Sequence, residues 1–300
     1  MTRKRPAADR TGARKKPAGI EYVGLPGVSK DCQDAVMRLL QYGDRVTRAQ
    51  ILSSSGAHCL LLSINVGDLV AVKSGFSSGY SGEGPYTFSV VLQLLDAHGA
   101  KIEEHNVTND VIDRVDSSAL TAADLEDLEE ARSVRPSRWH AYVREEHWKA
   151  AKEGTLWDEF PPVIPFAVID NRIIDLAISF WDGPDDKLMI GYRRLEDTVR
   201  RRTRLEEHGS KLFSKAFGEG GKLSWKGIGA GERVGRASLF SGAYSAHRNR
   251  RAHREPKDQA ESLLDEFLLL NHLYRLEKDS CKAKNRSRLG LRARAASREE

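Results

Sequence analysis

A short basic segment in the C-terminal third holds the residue types needed for proton transfer beside a phosphate group. Residues 247–255 read HRNRRAHRE, in which Arg248, Asn249 and His253 form an R-N-x-x-x-H pattern. An imidazole, with an unperturbed pKa of about 6.5, can accept and return a proton at neutral pH. A guanidinium keeps its charge and binds phosphate oxygens in a fork. An asparagine side chain can orient either group.

These side chains suffice, by type, to cleave RNA without a metal ion or another cofactor. We expect His253 to act as the general acid and base that activates a ribose 2′-OH, and Arg248 to stabilise the pentavalent phosphate. Asn249 is the expected orienting residue, and the product would carry a 2′,3′-cyclic phosphate. Neighbouring basic residues are predicted to bind the polyanion: Arg250, Arg251 and Arg254.

The spacing of arginine and histidine is a weak signal by itself, because the chain is rich in arginine. Arg135 and His140 have the same spacing, and Arg202 and His208 come close to it. Residues 248–253 differ because asparagine follows the arginine, because the segment lies between two predicted helices, and because its surroundings are the most basic in the predicted ordered regions. A basic helix end that only binds anions stays open as an alternative.

The charge of the chain is distributed unevenly along its length. The formal net charge is +5 over 300 residues, yet residues 1–16 carry +6, residues 17–189 carry −12, residues 190–280 carry +6 and residues 281–300 carry +5. An acidic N-terminal half and a basic C-terminal half indicate two functional units, and they predict a polyanionic partner for the second one.

Composition and periodicity predict an α+β protein built from two dissimilar domains. Strands alternate with helices over residues 20–132, which indicates a small α/β domain that would sense a trigger or restrain the second domain. Residues 133–165 contain four prolines and are predicted to connect the halves. Residues 166–280 read as helical throughout and predict an all-α bundle. The basic ends, residues 1–19 and 281–300, are predicted to be a disordered arm and tail.

The predicted bundle helices show the apolar spacing of buried faces. On one predicted helix, four residues spaced three or four positions apart form a single buried face: Leu188, Tyr192, Leu195 and Val199. The helix that leads to the basic segment has three inward candidates: Val234, Ser238 and Ala243. In the first half, a helix is predicted to be capped near Thr121.

The remaining signals favour a cytoplasmic protein. Three scattered cysteines form no disulfide framework or CxxC pair, and no apolar run reaches the roughly 18 residues of a membrane helix. The glycine-rich segment at 75–84 lacks the residues of a Walker A motif, and the adjacent His58 and Cys59 lack zinc-site spacing. We expect no metal, cofactor or membrane partner.

Several segments of the C-terminal third carry a family resemblance: RRLEDTVRRRT, HGSKLFSKAFG, GRASLFSGAYSAHRNRRAHRE and EFLLLNHLYRLE. The bundle resembles the HEPN superfamily, whose ribonucleases carry R-x4-6-H, often with a polar residue after the arginine. Residues 190–278 are more closely similar to the Ymh-type family of uncharacterised prokaryotic proteins found near phage, plasmid and restriction loci. Where a proline often follows the Arg-Asn pair in such relatives, this chain has Arg250.

The resemblance implies an endoribonuclease effector of an anti-phage or toxin-like system. It implies a homodimer in which two R-N-x-x-x-H motifs face each other, an RNA substrate, and a possible antitoxin or defence partner. It also implies a polar residue on the first bundle helix that faces the motif, with Glu196 as the best match and Asp197 next. A solvated pair of Glu196 with Arg200 is the alternative for that position. One alternative function is a non-catalytic nucleic-acid- or nucleotide-binding module in a restriction or defence complex. Another is an enzyme that acts on DNA or tRNA ends and not on RNA generally.

Overall fold

The computed structural model describes residues 16–65, 67–134, 138–248 and 259–283. The chain divides into two compact units, Met1–Phe160 and Pro161–Glu300. The predicted disordered ends lie mostly outside the described residues. The mixed fold is confirmed at this level, with a five-stranded sheet in the first unit and helices dominating the second.

A mixed sheet organises the N-terminal unit. Its strands are β1 (Glu21–Val23), β2 (Val46–Ser54), β3 (Ala57–Ile64), β4 (Asp68–Ser77) and β5 (Lys101–Asn106), and its helices are α1 (Ser29–Gln41), α2 (Glu83–Ala97), α3 (Asn109–Asp116), α4 (Ala122–Glu130) and α5 (Glu145–Glu153). The spatial order is β1-β4-β3-β2-β5. Strands β2, β3 and β4 form an antiparallel meander, while β1 runs parallel to β4 and β5 runs parallel to β2.

Helices cover both faces of this sheet. Successive side chains on a strand point to opposite faces, so each strand contributes to both layers of packing. On β3, Leu60 and Leu62 pack with α1 and α2, whereas Cys59 and Leu61 pack with α3 and α4. Burial on both faces explains why β3 reads as a nearly continuous apolar run. The strand therefore lies at the centre of a three-layer unit.

The cap predicted near Thr121 is confirmed. Thr121 Oγ1 accepts a hydrogen bond from the backbone N–H of Asp124, and the Asp124 carboxylate accepts one from the Thr121 N–H. This reciprocal capping box satisfies two N–H groups that a helix start leaves without partners. Strands β1 and β2 have no clear strand pattern in the sequence, since β1 is short and β2 buries the polar Gln50 and Ser53.

The N-terminal unit extends beyond its predicted limits at both ends. Trp139, Leu156 and Phe160 are buried in its core, so the described part of the segment 133–160 belongs to this unit and is not a free connection. Apolar burial holds this part of the chain, and three of the four prolines of the predicted connection lie after it, at Pro161, Pro162 and Pro165. At the other end, residues 16–18 of the predicted arm make backbone hydrogen bonds with residues 120–122.

The C-terminal unit packs its helices around an aromatic core. Its elements are α6 (Ile174–Ile178), α7 (Pro184–Thr203), α8 (Gly209–Phe217), β6 (Leu223–Ser224), α9 (Ala230–Ala243), α10 (Ala260–Asp279) and β7 (Cys281–Lys282). The predicted stripe on α7 is fully buried. Helices α7 and α10 approach closely at Gly191, where an added Cβ would lie 2.5 Å from Leu270.

The inward face of α9 differs from the predicted one. Val234 is 66% exposed and Ser238 is exposed, whereas Phe240 is fully buried and stacks on Phe213 and Phe217. Only Ala243 of the three candidates is buried. The aromatic side chain sets the rotation of the helix because its burial removes the most apolar area from water.

Two short strands, β6 and β7, pair with each other in the C-terminal unit. Leu223 pairs with Lys282 and Ser224 with Cys281 in an antiparallel ladder. The unit is therefore not helical in every segment, and the predicted tail begins with an ordered strand. Among the described residues, no helix is both long enough and apolar enough to cross a membrane.

Replacing Phe240 by alanine should lower the free energy of unfolding of the C-terminal unit by about 3–5 kcal/mol, because it removes a fully buried ring. Val234→Ala on the same helix should change that free energy by no more than about 0.5 kcal/mol, since the side chain is exposed. Urea unfolding of both variants measures the difference. Equal losses would contradict a rotation of α9 that buries Phe240 and exposes Val234.

Candidate nucleic-acid site in the helical unit

The structure describes two of the residues predicted to carry the chemistry, Arg248 and Glu196. The other predicted site residues lie outside the described residues: Asn249, Arg250, Arg251, His253 and Arg254. Their roles stay predictions. The described part of the site is the helix end that leads into the motif.

A π-helical turn, Tyr244–Arg248, extends α9 and ends at the first residue of the motif. Such turns accommodate an extra residue in the helix and are frequent at functional sites. Here the turn buries Tyr244 completely and leaves His247 and Arg248 partly exposed. The sequence alone gave no sign of this turn, because its residues fit an ordinary helix.

Glu196 is a buried carboxylate and not a solvated one. It is 5% exposed, and its Oε1 accepts hydrogen bonds from Arg200 at 2.9 Å and from the backbone N–H of Gly209 at 3.2 Å. His208 Nδ1 lies 3.1 Å from the same oxygen. The pair with Arg200 is thus part of a larger contact, in which Glu196 of α7 binds the first N–H of α8. A carboxylate at a helix N-terminus is favourable for both hydrogen bonding and the helix dipole.

Tyr244 connects the π turn to α7. Its Oη donates to the carbonyl oxygen of Tyr192 and lies 3.4 Å from Glu196 Oε2. Burial raises the pKa of Tyr244, the charge of Glu196 raises it further, and the charge of Arg248 opposes the shift. The hydroxyl is therefore neutral at physiological pH, and it lies within the electrostatic reach of Arg248.

A second buried carboxylate, Glu266 of α10, faces the same turn. Its Oε2 lies 3.4 Å from His247 Nδ1, and the side chain of Glu266 is 4% exposed. Burial, followed by the charge of Glu266, raises the pKa of Tyr192. Sequence reasoning missed both His247 and Glu266. The detectable signals were a histidine directly before Arg248 and an acidic residue in the apolar run LLDEFLLL.

Arg248 has an unused hydrogen-bond donor. Its Nε is buried, and no acceptor among the described residues lies within hydrogen-bonding distance of it. A buried donor without a partner costs free energy, which an anionic ligand can recover by accepting the hydrogen bond. The position of Arg248 therefore suits the binding of a phosphate oxygen.

A basic cleft of about 480 Å³ lies along the outer face of α7. It is lined by Arg172, Arg194, Asp197, Thr198, Arg200, Arg201 and Tyr274. Arg194 is held by Asp175 through two hydrogen bonds of 2.8 Å, and Arg200 is held by Glu196 and Asp197. Arg201 makes no ion pair with any described residue and is exposed to solvent. The sequence signal for this cleft was the spacing of Arg194, Thr198 and Arg201 on one helix face.

Comparison with known proteins finds a family for the segment that holds this site. Residues 190–276 match the family of proteins of unknown function called Hypoth_ymh. The Ymh segment begins within α7 and ends within α10, so it contains Glu196, the π turn and the whole predicted motif. The similarity predicted from sequence is confirmed at the level of this uncharacterised family.

The other comparisons add no functional information. A solved chain titled "Respiratory complex I from Thermus thermophilus" is 18% identical, and the match covers 40% of this chain and 99% of that chain at a TM-score of 0.33. A TM-score of this size does not indicate a shared fold. The search of curated proteins finds no match.

Glu196→Ala should destabilise the Ymh segment by about 1–3 kcal/mol, because it leaves the N–H of Gly209 and part of Arg200 without an acceptor. Asp197→Ala removes the other carboxylate that binds Arg200, and it should cost no more than about 1 kcal/mol because this side chain is exposed. Thermal and urea unfolding compare the two. If Asp197→Ala costs as much as Glu196→Ala, Glu196 does not anchor α8.

Proposed function

We propose that the C-terminal unit is a HEPN-like bundle and that it acts as a metal-independent endoribonuclease. The observation that carries this proposal is the buried, unpaired Nε of Arg248 at the end of a π turn. Arg248 carries a permanent positive charge, and it directly precedes in the sequence the segment that holds His253, the residue predicted to transfer protons. An effector role in anti-phage defence or a toxin-like system stays a prediction from the resemblance.

In the proposed reaction, His253 removes the proton from a ribose 2′-OH. The 2′-oxygen then bonds to phosphorus while the bond from phosphorus to the 5′-oxygen breaks, and a protonated imidazole returns a proton to that leaving oxygen. Arg248 binds the non-bridging oxygens as negative charge develops on them, and Asn249 orients the imidazole. The products are a 2′,3′-cyclic phosphate and a 5′-hydroxyl.

Glu196 supports this reaction by positioning. The described contacts already occupy its Oε1, and its Oε2 faces Tyr244. It therefore holds α8 and the π turn against α7, and through them it sets the position of Arg248. Direct contact between Glu196 and RNA is not required.

The cleft on α7 offers a path for the RNA backbone. Arg201 carries a charge that no described carboxylate neutralises, whereas Thr198 beside it already donates its hydroxyl hydrogen to the carbonyl of Arg194. Cationic side chains provide most of the affinity for a polyanion and make it dependent on salt. With the predicted contacts of Arg250, Arg251 and Arg254, the cleft supports RNA as the substrate.

A homodimer through α9 fits the same proposal. The outward face of this helix, here called the small-residue face, is exposed and uncharged and consists of Gly231, Val234, Gly235, Ser238, Leu239 and Gly242. Small residues allow two helices to approach closely, and a two-fold axis pairs such a face with itself. The face ends beside the π turn, so self-association would bring two motifs near one another.

Gly235→Arg should weaken the dimer by at least about tenfold, which corresponds to about 1.4 kcal/mol. The fold should tolerate the change, because an added Cβ at Gly235 meets no atom within 4 Å. Gly235→Ala keeps the face small and should leave the dimer intact. Sedimentation equilibrium compares the two variants. A Gly235→Arg protein that dimerises as tightly as Gly235→Ala would show that this face is not the interface.

A nucleic-acid-binding module without catalytic activity is the second candidate. The favouring observation is again the cleft, which combines guanidinium groups with no described imidazole. Such a module would bind RNA through Arg201 and its neighbours and leave it intact.

The full chain should cleave total RNA in the presence of EDTA. His253→Ala should reduce the rate by about 10²–10⁴-fold, because the general acid and base is lost. His140→Ala is the matched control, since His140 has the same spacing from an arginine but lies in the other unit. It should cleave at the original rate.

If the unmodified chain binds RNA but does not cleave it, the result would favour the binding module. Equal cleavage by the unmodified and His253→Ala proteins would contradict the assignment of His253. Electrophoresis of the RNA and a filter-binding measurement on the same samples give both readouts.

A further inference from the structure

The N-terminal unit contains a chain of hydrogen bonds that links a serine to a buried carboxylate through a histidine. Ser78 Oγ lies 2.8 Å from His58 Nε2, and His58 Nδ1 lies 2.8 Å from Ser53 Oγ. Ser53 in turn donates to Glu104 Oε1 at 2.7 Å. His58 and Glu104 are each 1% exposed, whereas Ser78 is partly exposed at the end of the chain.

The carboxylate fixes the direction of every hydrogen in this chain. Glu104 can only accept, so Ser53 uses its single hydrogen on Glu104 and accepts from His58 Nδ1. Nε2 of His58 then carries a lone pair, which accepts the hydrogen of Ser78. This is the arrangement that activates a serine hydroxyl for nucleophilic attack, with Ser53 inserted between the histidine and the acid.

The surroundings hold the histidine rigidly. Its ring stacks on Phe88 at a centroid distance of 4.6 Å, and the ring of Tyr142 lies 5.0 Å away. Tyr142 Oη also donates to Glu104 Oε1, and Arg138 Nε lies 3.3 Å from Glu104 Oε2. Burial lowers the pKa of His58 to about 4, although the charge of Glu104 opposes this shift. The imidazole is therefore neutral at physiological pH, so its Nε2 has the lone pair that the hydrogen bond from Ser78 requires.

Ser78 occupies a sharp connection between a strand and a helix. It directly follows β4, Gly79 has a φ of +90°, and α2 begins at Glu83. An added Cβ at Gly84 would lie 2.1 Å from Ser77 Oγ, so the first turn of α2 packs directly against the end of β4. No side chain among the described residues caps α2. The N–H groups of Glu83 and Gly84 in its first turn are the candidate donors to an oxyanion.

We propose that Ser78 is a nucleophile for acyl transfer from a carboxylic ester or thioester, with His58 as its base and the Ser53–Glu104 pair as the positioning residues. The acyl class is favoured over a phosphoryl class by charge. Residues 17–160 carry 13 basic and 22 acidic side chains, which repels a phosphate-rich ligand. Arg138, the arginine that the described residues bring to this network, is paired with Glu104.

The reaction proceeds in two steps. Ser78 Oγ bonds to the carbonyl carbon, and the hydroxyl proton of Ser78 passes to His58 Nε2. The bond from the carbonyl carbon to the leaving oxygen or sulfur then breaks, and the leaving atom takes the proton from His58 Nε2. Water then attacks the acyl-serine, His58 accepts a proton from the water, and Ser78 Oγ regains it as the carboxylic acid leaves. Ester or thioester and water are consumed, and acid and alcohol or thiol are formed.

A fluorophosphonate tests this site in the full-length protein. It should modify Ser78 through a new bond between Oγ and phosphorus with loss of fluoride, which intact mass and peptide mapping detect. His58→Gln should slow the modification by about 10²–10⁴-fold. Ser77→Ala is the matched control, because Ser77 Oγ bonds Tyr80 Oη and not a histidine, and it should be modified at the original rate.

Ser53→Ala keeps the histidine but breaks its link to Glu104, and it should slow the modification while circular dichroism shows an intact fold. Ser53→Thr keeps the hydroxyl and should restore the rate. No modification of Ser78, modification of Ser77 instead, or an unchanged rate in folded Ser53→Ala protein would overturn the proposal. RNA cleavage by Ser78→Ala protein should match that of the unmodified chain, so this test is independent of the C-terminal site.

Discussion

The structure of the C-terminal unit depends on keeping one buried carboxylate satisfied. Glu196 lies on the inner face of α7, where an unpaired charge would cost several kcal/mol, on the order of the stability of a small domain. Its oxygens are reached by Arg200 from its own helix, by the first N–H of α8 and by the hydroxyl of Tyr244. Three elements must therefore keep their positions around a single side chain. That requirement limits where the end of α9 can lie.

The π turn follows from the same constraint. Tyr244 must reach both the carbonyl of Tyr192 and the region of Glu196, while Phe240 one turn earlier must remain in the aromatic core. An extra residue in the last turn satisfies both contacts and directs His247 towards Glu266. Arg248 then emerges with a buried donor that the described residues leave unpaired. The proposed chemistry thus uses a position that core packing has already fixed.

Sequence patterns predicted the class of each unit but not its buried polar groups. The stripe on α7 and the cap at Thr121 could be recognised because apolar spacing and capping chemistry are local properties. Glu196 was found through a family resemblance, whereas its anchoring of α8 depends on residues 12 and 13 positions away. His58, Ser53 and Glu104 come from three different strands, so only the register of the sheet brings them together. The inward face of α9 was mispredicted because small residues cover most of that helix and give a weak periodic signal.

In the proposed reaction, the residues around Arg248 cleave RNA by attack of the ribose 2′-oxygen. The ends left on a defined RNA oligonucleotide that the full chain has cut distinguish this attack from others. Attack by the 2′-oxygen leaves a 2′,3′-cyclic phosphate on one fragment and a 5′-hydroxyl on the other. A 2′-deoxy substitution at the cleaved position removes the attacking group and should abolish the cut. Fragments with a 3′-hydroxyl and a 5′-phosphate, or cleavage at the 2′-deoxy position, would contradict it.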